Sequence, residues 1–264
     1  MLPEAKPSRS PPRATVAIKA VMFDTFGTVV DFYHPFKRLF EALANEYSAQ
    51  CDAAQMAIDW RTAYLFSVIE QASGKTPFRT LRQIHRENLD RLLAASFPVK
   101  VPAARCAELA LAWEKLEPWP DAVEGLKRIR RQAIIAPLSN GNFADMARLS
   151  KYAGLPWDII LGASVAGHYK PHPQTYLQSV AALDLTPEEV LMVAAHQPDL
   201  AFAAGHGMQT AFVPRPLEFG GAVKPANPTP GESYLDAAEV YPEEDWTFVA
   251  TDFIDLAAQL EALT

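Results

Sequence analysis

The chain has 264 residues, 49% apolar and 21% charged, enough for a sizeable core and ordinary for a globular protein. Its formal net charge of −7 argues against a nucleic-acid partner or an anionic membrane surface, and no apolar stretch approaches the length of a membrane span. Cys51 and Cys106 lie far apart in helical contexts, so neither a disulfide framework nor a metal knuckle is expected, and a reducing cytoplasm fits.

Residues 1–15 are rich in Pro, Ser, Arg and Lys without a periodic apolar face, which predicts a disordered extension rather than a secretory signal. Residues 16–23 then read as a buried strand, too short for an amphipathic helix. The strand delivers Asp24 into the turn Thr25-Phe26-Gly27-Thr28, where Gly27 supplies a flexible position and the threonines can bond the local backbone. A carboxylate ending a buried strand is costly unless it is hydrogen-bonded or put to use.

From there the period changes. Apolar residues at helical spacing predict helices over 35–48, 53–73, 78–96 and 102–116, punctuated by Gly74, Pro77, Pro98 and Pro102. Strands and helices alternate afterwards. A helix over 122–131, with Asp121 as N-cap, precedes a strand over 133–138 that ends at Ser139-Asn140. A helix over 143–153 stops at Gly154. A strand over 158–161 runs to Lys170, with a helix over 173–183 beyond it. The strand 190–193 leads to Ala194-Ala195-His196-Gln197-Pro198-Asp199. A strand over 209–213, a Pro/Gly-rich surface excursion over 214–242, a strand over 246–249 and a helix over 253–262 complete the chain. Such alternation predicts a doubly wound α/β fold with a parallel sheet covered on both faces, and an inserted all-helical block. The expected units are a core of 16–33 and 118–264 and an insertion of 34–117.

Polar residues then sit at four strand ends, which a parallel sheet can bring to one edge. The motifs Phe23-Asp24-Thr25-Phe26-Gly27-Thr28, Leu138-Ser139-Asn140-Gly141, Tyr169-Lys170-Pro171 and the acid Asp199, in this order, resemble the haloacid dehalogenase superfamily, with the helical block as its cap domain. The resemblance covers nearly the whole chain from about Ile18. Within it, phosphatases carry an acid two residues after the nucleophile, whereas this chain has Phe26, which cannot move a proton. The L-2-haloacid dehalogenases have Tyr there, and a halide needs no protonation to leave.

The resemblance therefore implies a hydrolase converting short 2-haloalkanoic acids to 2-hydroxy acids through an ester on Asp24, without metal or organic cofactor. In that scheme Lys170 keeps Asp24 ionised, and Asp199 holds Lys170. Ser139 and the backbone at Thr25 and Phe26 bind the substrate carboxylate, Arg61 and Asn140 receive halide, and Tyr176 stands with the binding residues. Trp60, Leu65 and Phe78 shield the reacting carbon. A homodimer through the cap follows from the same resemblance. Two positions depart from the pattern. Ala194 replaces a hydroxyl expected to support the lysine, and His196 replaces an asparagine that orients water. His196 is accordingly a candidate to position or deprotonate that water. The alternatives are a Mg²⁺-dependent phosphatase of the same superfamily, or a non-catalytic protein that binds a small acid.

Overall fold

The computed structural model describes residues 16–74, 76–226 and 235–263. The predicted N-terminal extension lies outside them, as do residues 227–234 of the predicted excursion. Six parallel strands form the main sheet: β1 (Ala20–Phe23), β4 (Ile134–Ser139), β5 (Leu161–Gly162), β6 (Val190–Ala194), β7 (Gln209–Phe212) and β8 (Phe248–Val249), in the order β5-β4-β1-β6-β7-β8. The central strands are completely buried, so Val21, Met22, Phe23, Leu191, Met192 and Val193 read as continuous apolar runs. The chain winds outward from β1 through β4 to β5, then crosses back and winds the other way from β6 to β8. The reversal falls between the neighbours β1 and β6, where open α/β sheets leave a crevice beyond the carboxyl ends of the strands.

Between β1 and β4 the chain forms α1 (Tyr33–Glu46), α2 (Ala53–Ala72), α3 (Leu81–Ser96) and α4 (Ala103–Ala110). Thr80 starts α3 with a reciprocal capping box to Gln83, and Asp52 caps α2 by accepting the Gln55 N–H. Buried aromatics from Phe36, Phe40, Trp60 and Trp113 knit this block together. Its two crossings to the sheet pair antiparallel as β2 (Val30–Asp31) and β3 (Glu117–Pro118).

The remaining helices, α5 (Ala122–Ile129), α6 (Phe143–Ala153), α7 (Ala163–Ala166), α8 (Pro173–Ala181), α9 (Gln197–Gly205) and α10 (Phe253–Glu261), cover the sheet. Gly154 ends α6 in the left-handed conformation expected of a C-cap. Several local readings change, three of them near the site. The first strand shortens to β1, because residues before Lys19 find no ladder partner among the strands. The strand expected over 158–161 begins only at Leu161, since Asp158 turns its carboxylate onto Arg130 and the Ile135 N–H. Asp121 precedes α5 but does not cap it by side chain. Its carboxylate pairs instead with Arg215 and the Phe253 N–H.

Candidate active site

Asp24 leaves β1 with its N–H still in the ladder, donated to the Val193 carbonyl at 2.9 Å. The following turn closes on itself: Val29 and Val30 donate to the Thr25 carbonyl and Gly27 donates to the Val30 carbonyl. Gly27 sits at φ 91°, and a Cβ there would lie 2.1 Å from Glu218 Oε1. The glycine is thus required both by conformation and by space. Thr28 turns its side chain from the local backbone to Asp24. Its hydroxyl donates to Asp24 Oδ2 at 2.7 Å and accepts the Ala195 N–H at 3.0 Å.

The other strand ends converge on this carboxylate. Lys170 Nζ lies 2.8 Å from Asp24 Oδ1 and 2.5 Å from Asp199 Oδ2. It comes from the segment after the short helix α7 rather than directly from a strand. Asp199, in the first turn of α9, also accepts the Tyr176 hydroxyl at 2.6 Å. Lys170 and Asp24 are each 8% exposed. Burial alone would push the Asp24 carboxyl up, but Lys170 and His196 outweigh it and hold it far below the usual carboxylate range. Burial likewise opposes the Lys170 charge, and Asp199 and Asp24 reverse the balance and raise it. Burial pushes Asp199 up, Lys170 opposing and the Asp24 charge adding to it. With Ala194 in place of a hydroxyl, Lys170 Nζ is held by the two carboxylates of Asp24 and Asp199.

His196 Nδ1 approaches Asp24 Oδ2 at 3.0 Å, and its Nε2 approaches Glu218 Oε1 at 2.8 Å. Glu218 is 1% exposed. Burial disfavours the imidazolium, yet Glu218 and Asp24 together raise the His196 pKa to about 10. Glu218 was not found from the sequence, because it falls in the segment read as a surface excursion. The available signal was an acid held between the apolar Leu217 and Phe219 and followed by Gly220-Gly221. Its placement is built by Arg215, which donates from Nε to the Thr28 carbonyl at 2.8 Å and pairs with both oxygens of Asp121. The Glu218 N–H in turn donates to the Arg215 carbonyl.

A cavity of about 280 Å³ opens between the helical block and the sheet edge, with Asp24, Phe26, Arg61, Asn140, Lys170 and His196 among its walls. Arg61 is 3% exposed, and its Nε and Nη1 have no hydrogen-bond partner among the described residues. Its guanidinium lies 5.3 Å from the centre of the Phe32 ring and 5.0 Å from that of Tyr64. Only a long 3.5 Å contact reaches from Nη2 to the Phe26 carbonyl. A buried cation with unused donors is equipped to take an anion. Asn140 accepts the Lys170 N–H at 2.7 Å and donates to the Tyr64 hydroxyl. The Phe26 ring packs edge-on against Trp113 and Tyr64.

Some expected binding residues stand back from the cavity. Ser139 is buried behind it and accepts the Gly141 N–H. Thr25 is buried with its hydroxyl unpartnered. Trp60 lies inside the helical block, its Nε1 donating to the His85 carbonyl, while Leu65 and Tyr176 line the cavity. Phe78 is half exposed and stacks on Tyr169, because α3 begins only at Leu81 and leaves Phe78 on the outer side of that ring.

Residues 18–207 match the haloacid dehalogenase-like hydrolase family, and the chain belongs to it. It is similar to the crystal structure of the defluorinating L-2-haloacid dehalogenase Rha0230, with 40% identity, a TM-score of 0.84, and coverage of 95% of this chain and 98% of that one. The L-2-haloacid dehalogenase PA0810 shares 38% identity at a TM-score of 0.81, over 93% of this chain and all of that one. The (S)-2-haloacid dehalogenase of Xanthobacter autotrophicus is 29% identical over 203 residues, covering 75% of this chain and 76% of its own length.

Proposed function

We propose that this protein is a hydrolytic 2-haloacid dehalogenase that works through an ester on Asp24. The observation that carries the reading is the Asp24 carboxylate, held ionised between Lys170 and His196, with Phe26 rather than an acid two residues on. In the first step Asp24 attacks the halogen-bearing carbon in line. A C–O bond forms, the C–X bond breaks, and its electron pair leaves as halide toward Arg61. The backbone N–H groups of Thr25 and Phe26 are proposed to hold the substrate carboxylate, with Ser139 behind them shaping the Gly141 turn. In the second step water adds to the ester carbonyl, the acyl C–O bond breaks, and the 2-hydroxy acid departs.

His196 has opposite duties in the two steps. As an imidazolium it stabilises the free Asp24 carboxylate. Alkylation removes that negative charge, so the Nδ1 proton loses its acceptor and passes to solvent, which the partly exposed His196 ring reaches. Nδ1 then faces the ester as a base for the attacking water, while Glu218 fixes the tautomer through Nε2 and stabilises the imidazolium that re-forms. Names of relatives that act on 2-haloacids support this reading over a phosphatase. Association of two copies through the helical block and a reducing cytoplasmic setting, consistent with the free Cys51 and Cys106, belong to the same proposal.

Halide release from 2-bromopropionate, combined with mass detection of the substrate-derived ester on the Asp24 peptide, tests the reading. Wild type should release halide and Asp24→Asn should not. Halide release that persists in Asp24→Asn would refute the nucleophile.

A further inference from the structure

The reaction uses only the polar floor of the cavity. Above Asp24 and Lys170 the walls become apolar: Phe66 and Ile69 from α2, Pro198 and Phe202 from α9, and Phe219 and Leu235 from the segment after β7. Four of these side chains are among the more exposed large apolar groups described in the protein, with Phe66 at 59%, Ile69 at 52%, Phe202 at 45% and Leu235 at 42%. They do not scatter over the surface. Three separate parts of the fold bring them to the mouth of one cavity, continuous with the reacting carboxylate. Contiguous exposed apolar surface of this kind marks a binding surface. A three-carbon haloacid has roughly six non-hydrogen atoms, whereas pockets from about 300 Å³ upward accommodate drug-sized ligands. A cavity of about 280 Å³ therefore exceeds the needs of the short acids anticipated from the sequence.

We infer that the mouth is a subsite for the substrate's tail, and that the preferred substrates are 2-haloacids carrying an extended apolar chain on the reacting carbon. This rests on the dehalogenase reading above and deepens it. With the carboxylate and halogen engaged at the floor, the third carbon substituent is the group left to extend toward α2 and α9. A fully polar tail would desolvate against the apolar part of these walls, where Glu239, already accepting the Gln197 N–H, is the polar group of that segment in the lining, so the mouth disfavours it.

The test compares kcat/KM for 2-bromohexanoate and 2-bromopropionate by halide release. Each additional buried methylene contributes about fourfold, so three give a ratio of roughly 10 to 60 in favour of the longer acid. Phe66→Ser and Phe202→Ser should each bring that ratio toward one, and Phe66→Leu should retain most of it. If 2-bromopropionate is turned over and the longer acid is no better, the tail subsite is refuted while the dehalogenase reading stands. If neither acid is turned over, both fail. Sedimentation separates a further case: a Phe66→Ser variant that changes oligomeric state with an unaltered ratio would assign this surface to a second copy and overturn the inference.

Discussion

Glu218→Gln isolates the part of the proposed mechanism that runs through the His196–Glu218 pair. The substitution keeps an oxygen that can accept the His196 Nε2–H, now 2.8 Å from Oε1, and removes only the charge. Two unit charges about 4 Å apart interact by ~4 kcal/mol at an effective dielectric constant of 20, an upper bound here because the His196 side chain is 26% exposed. The retained neutral hydrogen bond is worth about 1 kcal/mol. The imidazolium formed during ester hydrolysis is thus destabilised by ~3 kcal/mol, and that step should slow roughly 10²-fold. Alkylation depends on Asp24 and Lys170 and should change far less. Rapid-quench measurement of halide from 2-bromopropionate should show a burst of about one equivalent per active site, followed by slow turnover, and mass spectrometry should find the ester on the Asp24 peptide. Loss of the burst in step with steady-state turnover, without accumulated ester, would refute the assignment of His196 and Glu218 to the second step.

Other outcomes follow from neighbouring contacts. Gly27→Ala should be destabilised by about 1–3 kcal/mol in chemical denaturation, since it forces positive φ on a residue with a Cβ and drives that Cβ into Glu218; ester hydrolysis should slow with it. Arg61→Leu should reduce single-turnover halide release by roughly 10²-fold or more, because the expelled anion then leaves into an apolar wall; an unchanged rate would remove Arg61 from halide capture. The pH dependence of stability carries a definite sign. His196 is raised to about 10 in the folded protein, so its contribution is fully present below its ordinary value near ~6.5 and is lost as pH rises between that value and about 10. Thermal melting should therefore fall across this window in wild type, and the decline should be shallower in His196→Gln.

The place of Asp24 was legible because an apolar strand, a lone acid and a glycine turn are local features, and the order of the later motifs fixed which strand ends could meet it. Lys170, Asp199 and His196 were readable for the same reason. Glu218 was not. It reaches the site from the segment after β7 only because Arg215 fastens that segment to Thr28 and Asp121, and none of these pairings has a sequence period. Phe78 and Trp60 show the opposite failure. Their apolar character fitted a pocket wall, but the packing of the helical block set one on its surface against Tyr169 and the other in its interior. The protonation of His196 was equally hidden, since it depends on two carboxylates 194 positions apart in the chain.

The small ladder of Val30 with Pro118 and Asp31 with Glu117 closes the two ends of the helical block into a clasp. Trp119, just past it, donates its backbone N–H to the Val29 carbonyl and its indole N–H to the Gly27 carbonyl. The backbone of the Asp24 turn is consequently held from below the clasp, while its Phe26 ring rests on Tyr64 and Trp113 of the inserted block. A different insertion would redraw the roof, and with it the walls that Arg61 and Tyr64 supply, while the strand and Trp119 contacts that hold Asp24 from the sheet side would stay.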